Sequence, residues 1–399
     1  MKKIVYVLLL GLFACTSKLY VPNINFTDSY EEYPSNFFQG IKYSVLSNGQ
    51  LEFTLTFLRS QMLPKKENNT FYIQFALKIK LLKSLQKNLL LDTFGKVYQI
   101  DLNSVGTTFD ISLHTQQLKE FPFFALIEVE DLHRKSKTFT LVEMDPLLPI
   151  VEKTSFYQCG NIHLVRMGDT ITFEMPTSAK DVKLSYYAFK DYFPAPPYVE
   201  FSEKPHVDSI VSFPLVKLDS THYFFVAEKQ GLYKLIDVTS KQQYYWYSVS
   251  ASFPLVQTYE EMLFPLRYLT SESEYNKIKQ NPQTEIESFW LRIGGSEELA
   301  RELIRRYYHR VRRANELFTK HVEGWRTDRG MIYMVMGKPT SVYRNDQHEL
   351  WIYGQENNMM SMQFQFTKQE VLPGLYDFVL VRNSRYKDFW FNMIEIWRK

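Results

Sequence analysis

Leu51, Phe53, Leu55 and Phe57 alternate with Glu52, Thr54 and Thr56, and Phe71, Ile73, Phe75, Leu77 and Ile79 repeat the pattern further on. Apolar side chains that recur every second residue share one face only if the chain is extended, so these runs predict half-buried antiparallel strands. Asn48-Gly49 is a turn dipeptide between two such runs and predicts a hairpin. Further runs at 97–102, 109–113, 124–129 and 139–144 supply enough strands for a β-sandwich of immunoglobulin-like size over residues 41–148. The 27 Tyr and 31 Phe fit this, because rings pack well on pleated, half-buried surfaces.

Asp145-Pro146 and Pro149 mark a boundary, and a second sandwich is predicted over 149–255 from candidate strands at 162–165, 170–175, 182–189, 222–228, 231–237 and 244–253. Gly231-x-Tyr233 has the form of a tyrosine corner, in which the hydroxyl bonds back to the main chain. Tyr192-Phe193-Pro194-Ala195-Pro196-Pro197-Tyr198 is a stiff aromatic loop. Its Tyr192, Phe193 and Tyr198 are candidate partner contacts, against the plainer reading of a loop packed on its own domain. A chain of 399 residues has room for two or three domains.

Helical periodicity begins only after Thr258. Thr284-x-x-Glu287 has the spacing of a capping box, and Gly294-Gly295-Ser296 introduces the longest helix, with Glu297 and Glu298 complementing its dipole. Ile304, Tyr307, Tyr308, Val311, Ala314 and Phe318 form its predicted core face. Arg301, Arg305, Arg306, Arg310, Arg312 and Arg313 are assigned to the opposite face. That face is a candidate contact for an acidic partner, anionic lipid head groups or cell-wall polymer, against the plainer reading of a solvated face with acidic neighbours. A net charge of +3 decides little about partners.

Gly324-Trp325-Arg326-Thr327-Asp328-Arg329-Gly330 follows that helix, and Gly337-Lys338-Pro339 comes next. Gly324 suits a left-handed helix C-cap, Thr327 suits an N-cap, and Gly337 with Pro339 ends whatever Met331 to Met336 forms. Gly324, Trp325, Thr327 and Asp328, with Arg329-Gly330, Gly337-x-Pro339 and Glu349-x-Trp351-x-Tyr353, resemble the GWxTD-domain proteins, exported proteins of Bacteroidota. The resemblance covers about residues 255–399 and implies a helical domain with a small antiparallel sheet over 256–399, in an exported protein. It implies no reaction. Gly337-x-Pro339, Glu349-x-Trp351-x-Tyr353 and alternating Met362, Phe364 and Phe366 are also similar to accessory lipoproteins of the outer-membrane β-barrel assembly machine, which would make Met331 to Met336 a short helix.

Lys2 and Lys3 precede an apolar run from Ile4 to Phe13, too short to span a bilayer as a permanent helix. Leu12-Phe13-Ala14-Cys15 resembles a lipobox, so residues 1–14 are expected to be a lipoprotein signal, Cys15 the lipidated residue, and 15–40 a tether. With Thr16-Ser17-Lys18-Leu19 in place of an acidic export signal, an outer-membrane anchor facing the periplasm is expected. Cys159 is then the one other cysteine and can form neither an internal disulfide nor a zinc site.

Asp328 and Glu349, with His309, His321 or His348, are the candidate acid–base groups, but general acid–base work requires them to converge. No nucleophile elbow, metal-spaced histidine pair or phosphate-cradling glycine loop accompanies them, so neither a metal nor a cofactor is expected. Trp325 and Trp351 are candidate sugar platforms, against the plainer reading of core residues. The expected function is a lipid-anchored envelope scaffold or binding subunit without catalysis, acting through envelope protein partners and not on nucleic acid. The alternatives are an envelope hydrolase using Asp328 and Glu349, or a carbohydrate-binding lipoprotein.

Overall fold

The computed structural model describes residues 24–31, 38–45, 50–67, 69–85, 89–118, 123–144, 157–159, 162–175, 181–189, 192–200, 209–356 and 358–399. The signal, Cys15, the Asn48-Gly49 turn and the Asp145-Pro146 boundary lie outside them.

The N-terminal part is mainly β, as the alternation requires. Strand Leu51–Leu58 buries Leu51, Phe53, Leu55 and Phe57 and leaves the residues between them half-exposed. It pairs antiparallel with Phe38–Val45 on one side and Thr108–His114 on the other. The long strand Thr70–Ser84 pairs antiparallel with Leu89–Asp101 and Phe124–Asp131, and the latter with Ser136–Glu143. The inward rows of both sheets, including Phe53, Phe57, Phe75, Ile79 and Ile127, form one hydrophobic cluster. Burial of each such side chain contributes about 1.5–3 kcal/mol, which fixes the strand register.

The next sheet has six strands, ordered Ser209–Ser212, Val182–Ala188, Gly231–Asp237, Gln243–Val249, Ile162–Arg166 and Tyr157–Cys159. Its neighbours are antiparallel except Ile162–Arg166 against Gln243–Val249, which run parallel. A three-stranded sheet of Thr170–Glu174, His222–Val226 and Val216–Lys217 shares a core with it around Phe173, Phe225, Tyr233 and Trp246. Tyr233 makes the predicted corner: its hydroxyl accepts from Lys229 N–H (2.9 Å) and donates to Lys229 C=O (3.0 Å).

The C-terminal region carries α1 (Tyr259–Leu263), α2 (Glu272–Gln280), α3 (Pro282–Gly294), α4 (Glu297–Phe318), α5 (Asp328–Met336) and α6 (Lys387–Trp397). Its antiparallel sheet runs in chain order through Ser341–Arg344, His348–Tyr353, Met362–Leu372 and Leu375–Leu380. The predicted capping box at Thr284 is not one. Helix α3 starts at Pro282, whose fixed φ and missing N–H suit a first helical position, so Thr284 lies inside the first turn. Capping boxes instead start α1 at Thr258 and α2 at Ser271.

The tether reading fails for residues 24–31, which pack on the C-terminal region. Phe26 and Tyr30 are buried in its core, and the strand Ser341–Arg344 holds the segment through Phe26 N–H to Val342 C=O (2.8 Å) and Val342 N–H to Asn25 Oδ1 (2.9 Å). Thr27 Oγ1 donates to Pro339 C=O (2.6 Å) and Tyr333 Oη to Tyr30 C=O (3.0 Å). Two large aromatic rings in so short a segment are worth more buried than solvated.

Candidate functional site

The motif is assembled by close backbone approach. Helix α4 ends at Phe318, and Gly324 opens a short 3-10 turn without positive φ, so it is not the left-handed cap expected of it. A Cβ on Gly324 would lie 1.8 Å from the Ala314 carbonyl oxygen, and one on Gly330 would lie 1.8 Å from the Gly324 carbonyl oxygen. Glycine is required here for contact between main chains and not for its torsion angles. Thr327 is the N-cap of α5 as expected: its Oγ1 accepts from Gly330 N–H (3.1 Å) and donates to Gly324 C=O (2.8 Å).

The charged motif residues pair inside the protein. Asp328 accepts from Leu380 N–H (2.8 Å) and from Arg382 Nη1 (3.0 Å) and Nη2 (2.5 Å), a bidentate pair. Burial holds the Asp328 carboxyl above its ordinary value, against the opposing pull of Arg382. Arg329 reaches Asp377 (2.8 Å) and Glu349 (3.3 Å) between the rings of Phe318 and Phe378. Glu349 is fully buried, and its other oxygen accepts from Tyr30 Oη and Trp351 Nε1, both at 2.6 Å. Asp328 and Glu349 thus hold different arginines, Arg382 and Arg329. Trp351 is 0% exposed and presents no face to a sugar, while Trp325, 3% exposed, borders a cavity. Gly337 closes α5, and Pro339 receives the Thr27 hydroxyl.

His321 and His348 have neighbours other than Asp328. His321 stands between the rings of Phe189 and Tyr192, and burial pushes its imidazole down to about 4. His348 lies beside Thr367 in the sheet (3.4 Å).

The six arginines of α4 are not one solvent face. Arg301, Arg305 and Arg306 are exposed, while Arg313 is buried, donating to Glu31 C=O (3.0 Å) and paired with Glu316. Arg306 and Arg310 stack on Trp397 at 4.6 and 4.9 Å, and Arg310 also donates to the Met334 and Val335 carbonyls at the end of α5. Residues 306, 310 and 313 are four and three apart along one helical stripe: Arg306, itself exposed, and Arg310 meet α6 at Trp397, Arg310 also meets the end of α5, and Arg313 meets the N-terminal segment at Glu31. Arg312 pairs with Glu316 at 2.9 Å.

The aromatic loop packs on the C-terminal region, which fits the plainer of its two readings, with Tyr192, Phe193 and Tyr198 half-buried. Arg326 donates to the Tyr192 (2.9 Å) and Phe189 carbonyls, Arg382 to Ala195 C=O (3.0 Å), and Asn383 N–H to Pro197 C=O (3.1 Å). Phe193 lies 5.8 Å from Trp325, and Tyr198 lies 5.4 Å from Phe391.

Where the loop meets the motif, a cavity of about 230 Å³ is walled by Phe193, Tyr247, Phe253, Asn315, Glu323 and Trp325, among others. Leu255 and Phe264 also line it and are 42% and 40% exposed, which makes them its rim. Asn315 fixes the wall by accepting from Trp325 N–H (3.4 Å) and donating to Pro254 C=O (3.0 Å). Glu323, Arg382, Asp377 and Tyr30 were not singled out from sequence. Asp377, a carboxylate inside the apolar run Leu375–Leu380, is the one whose position carried a signal.

A search of curated proteins returns no match. The family model of the GWxTD domain matches residues 231–399, starting well before residue 256. The earlier start takes in strands Gly231–Asp237 and Gln243–Val249, which bond to each other and reach the C-terminal sheet through Lys234 Nζ and Tyr245 Oη on Pro373 C=O. With Gly324, Trp325, Thr327 and Asp328 at its buried junction, the segment 231–399 of this chain is a GWxTD domain.

Proposed function

We propose that the protein is a lipid-anchored scaffold or binding subunit of the cell envelope, working through contacts with other envelope proteins and without catalysis. The observation that supports this is the internal pairing of the motif carboxylates, Asp328 on Arg382 and Glu349 on Arg329, Tyr30 and Trp351. Groups so engaged hold the fold and leave the neighbouring cavity, with its apolar rim, as a recess able to accept another molecule. On this reading Cys15 carries the lipid and the protein faces the periplasm from the outer membrane. The β regions 41–148 and 149–255, the second overlapping the GWxTD domain from residue 231, are immunoglobulin-like sandwiches, a reading supported by sheets that share one core and by the Tyr233 corner.

The test is a pull-down of the lipidated protein from cross-linked native membranes, comparing wild type with Leu255→Glu/Phe264→Glu at the rim and Arg301→Glu/Arg305→Glu on exposed α4. An envelope protein that co-purifies with wild type and is lost from either pair, with melting temperature kept, supports the reading. Failure of wild type to retain any partner, together with release of soluble fragments from cell wall or peptide by the purified protein, overturns it.

A further inference from the structure

Glu323 is the cavity carboxylate held most loosely. Its Oε1 accepts from Gln230 Nε2 (3.0 Å), while its other oxygen is 3.7 Å from Arg326 Nη1. Arg326 also donates to the Tyr192 and Phe189 carbonyls. Glu261, also in the wall, accepts from the neutral Ser252 hydroxyl and the N–H groups of Gln257 and Thr258, so it adds negative field to the space. Burial pushes the Glu323 carboxyl up against the pull of Arg326, and Glu261 adds to the push. A cation entering the cavity relieves both effects.

The remaining wall is suited to a cation on an apolar stem. Tyr247, Phe253 and Trp325 offer rings, and ring faces attract ammonium groups while their edges cover methylenes. A planar guanidinium already lies near Phe193 and Trp325, that of Arg326 at 5.7 and 5.8 Å. One carboxylate beside that occupied slot matches a compact point charge better than a second planar fork.

We propose that the cavity receives the side chain of a lysine presented by a partner protein, with its ammonium on Glu323 and its methylenes along the rings. This rests on the binding-subunit reading above and names the chemistry its partner must present.

The test is calorimetric titration of the purified full-length protein with N-acetyl-lysine N-methylamide, and with the arginine and norleucine counterparts. The lysine compound is expected to bind at least ~10-fold more tightly than norleucine, the scale of a hydrogen bond to a charged group, and more tightly than arginine. Glu323→Gln, which keeps an acceptor for Gln230, is expected to remove that preference without moving the melting temperature. Equal binding of lysine and norleucine compounds by wild type overturns the proposal however the variant folds. So does retention of the preference in Glu323→Gln, or absence of lysine binding. A partner retained in the pull-down without lysine binding sinks this proposal alone, and no retained partner together with release of cell-wall or peptide fragments sinks the scaffold reading whatever the titration gives.

Discussion

Tyr30 donates a 2.6 Å hydrogen bond to Glu349 across 319 residues of sequence. The acceptor lies in the sheet of the C-terminal region and the donor in the segment that leads from the N-terminus into the first strands. The N-terminal segment is therefore packed into the core of the GWxTD domain. Tyr30→Phe keeps the ring against Trp351 (5.2 Å) and Phe318 (5.8 Å) but removes a donor from a buried carboxylate. It is expected to destabilise by about 1–3 kcal/mol, read as a lower urea midpoint with unchanged slope.

Two glycines separate contact from torsion. Gly324→Ala places a Cβ 1.8 Å from the Ala314 carbonyl oxygen, main chain against main chain, and is expected to cost about 3 kcal/mol or more. Gly295→Ala, at φ +68° after α3 with nothing within 4 Å of the added atom, is expected to cost only about 1 kcal/mol. Thermal melts of the two variants side by side give the comparison, and equal losses count against the close-packed junction.

Acid destabilises this protein through buried histidines. Burial pushes His163 and His321 down to about 4 from an ordinary 6.5, so between those values the folded state binds fewer protons than the unfolded chain. Their stabilising effect is complete above pH 6.5 and is lost as the pH falls to about 4, by about 3 kcal/mol each at the limit. Below the ordinary carboxylate range Glu143 adds a further loss. Burial pushes its carboxyl up, but Lys320, Arg344 and Lys368 outweigh that and hold it low. Urea titrations from pH 7.5 to 4 are expected to show the falling limb, and His163→Leu/His321→Leu to flatten it.

Within α4 the arginines divide by partner. Arg301→Ala removes an exposed pair with Glu297 and is expected to change stability by less than ~0.5 kcal/mol. Arg313→Ala strips a buried guanidinium from Glu31 C=O and Glu316 and is expected to cost about 3 kcal/mol. Equal effects in denaturant melts count against the buried stripe.

The sheets of the N-terminal part were legible because burial of one face imposes period two on Leu51, Phe53, Leu55 and Phe57. The Thr327 cap and the Tyr233 corner were legible because both bonds close within four residues. What failed was long-range. Nothing local to Tyr30 names Glu349 as its acceptor, and nothing in the α4 pattern says that α5 and α6 will meet Arg310 or that Glu31 will meet Arg313. Gly324 misled because glycine after a helix has two physical uses, and only the neighbouring backbone of Ala314 decides between them. Trp325, by contrast, needed burial and found it beside Tyr268, whose hydroxyl donates to the Trp325 carbonyl (2.8 Å).

The central claim is that Asp328 of the motif is an architectural partner of Arg382 and not a group held ready for substrate. A double-mutant cycle with Asp328→Asn, Arg382→Gln and the combined variant, followed by urea unfolding at pH 7.5, measures it directly. The expected result is a large loss in each single variant and a coupling energy of about 2–3 kcal/mol. Single variants as stable as wild type, with no coupling between them, would contradict it.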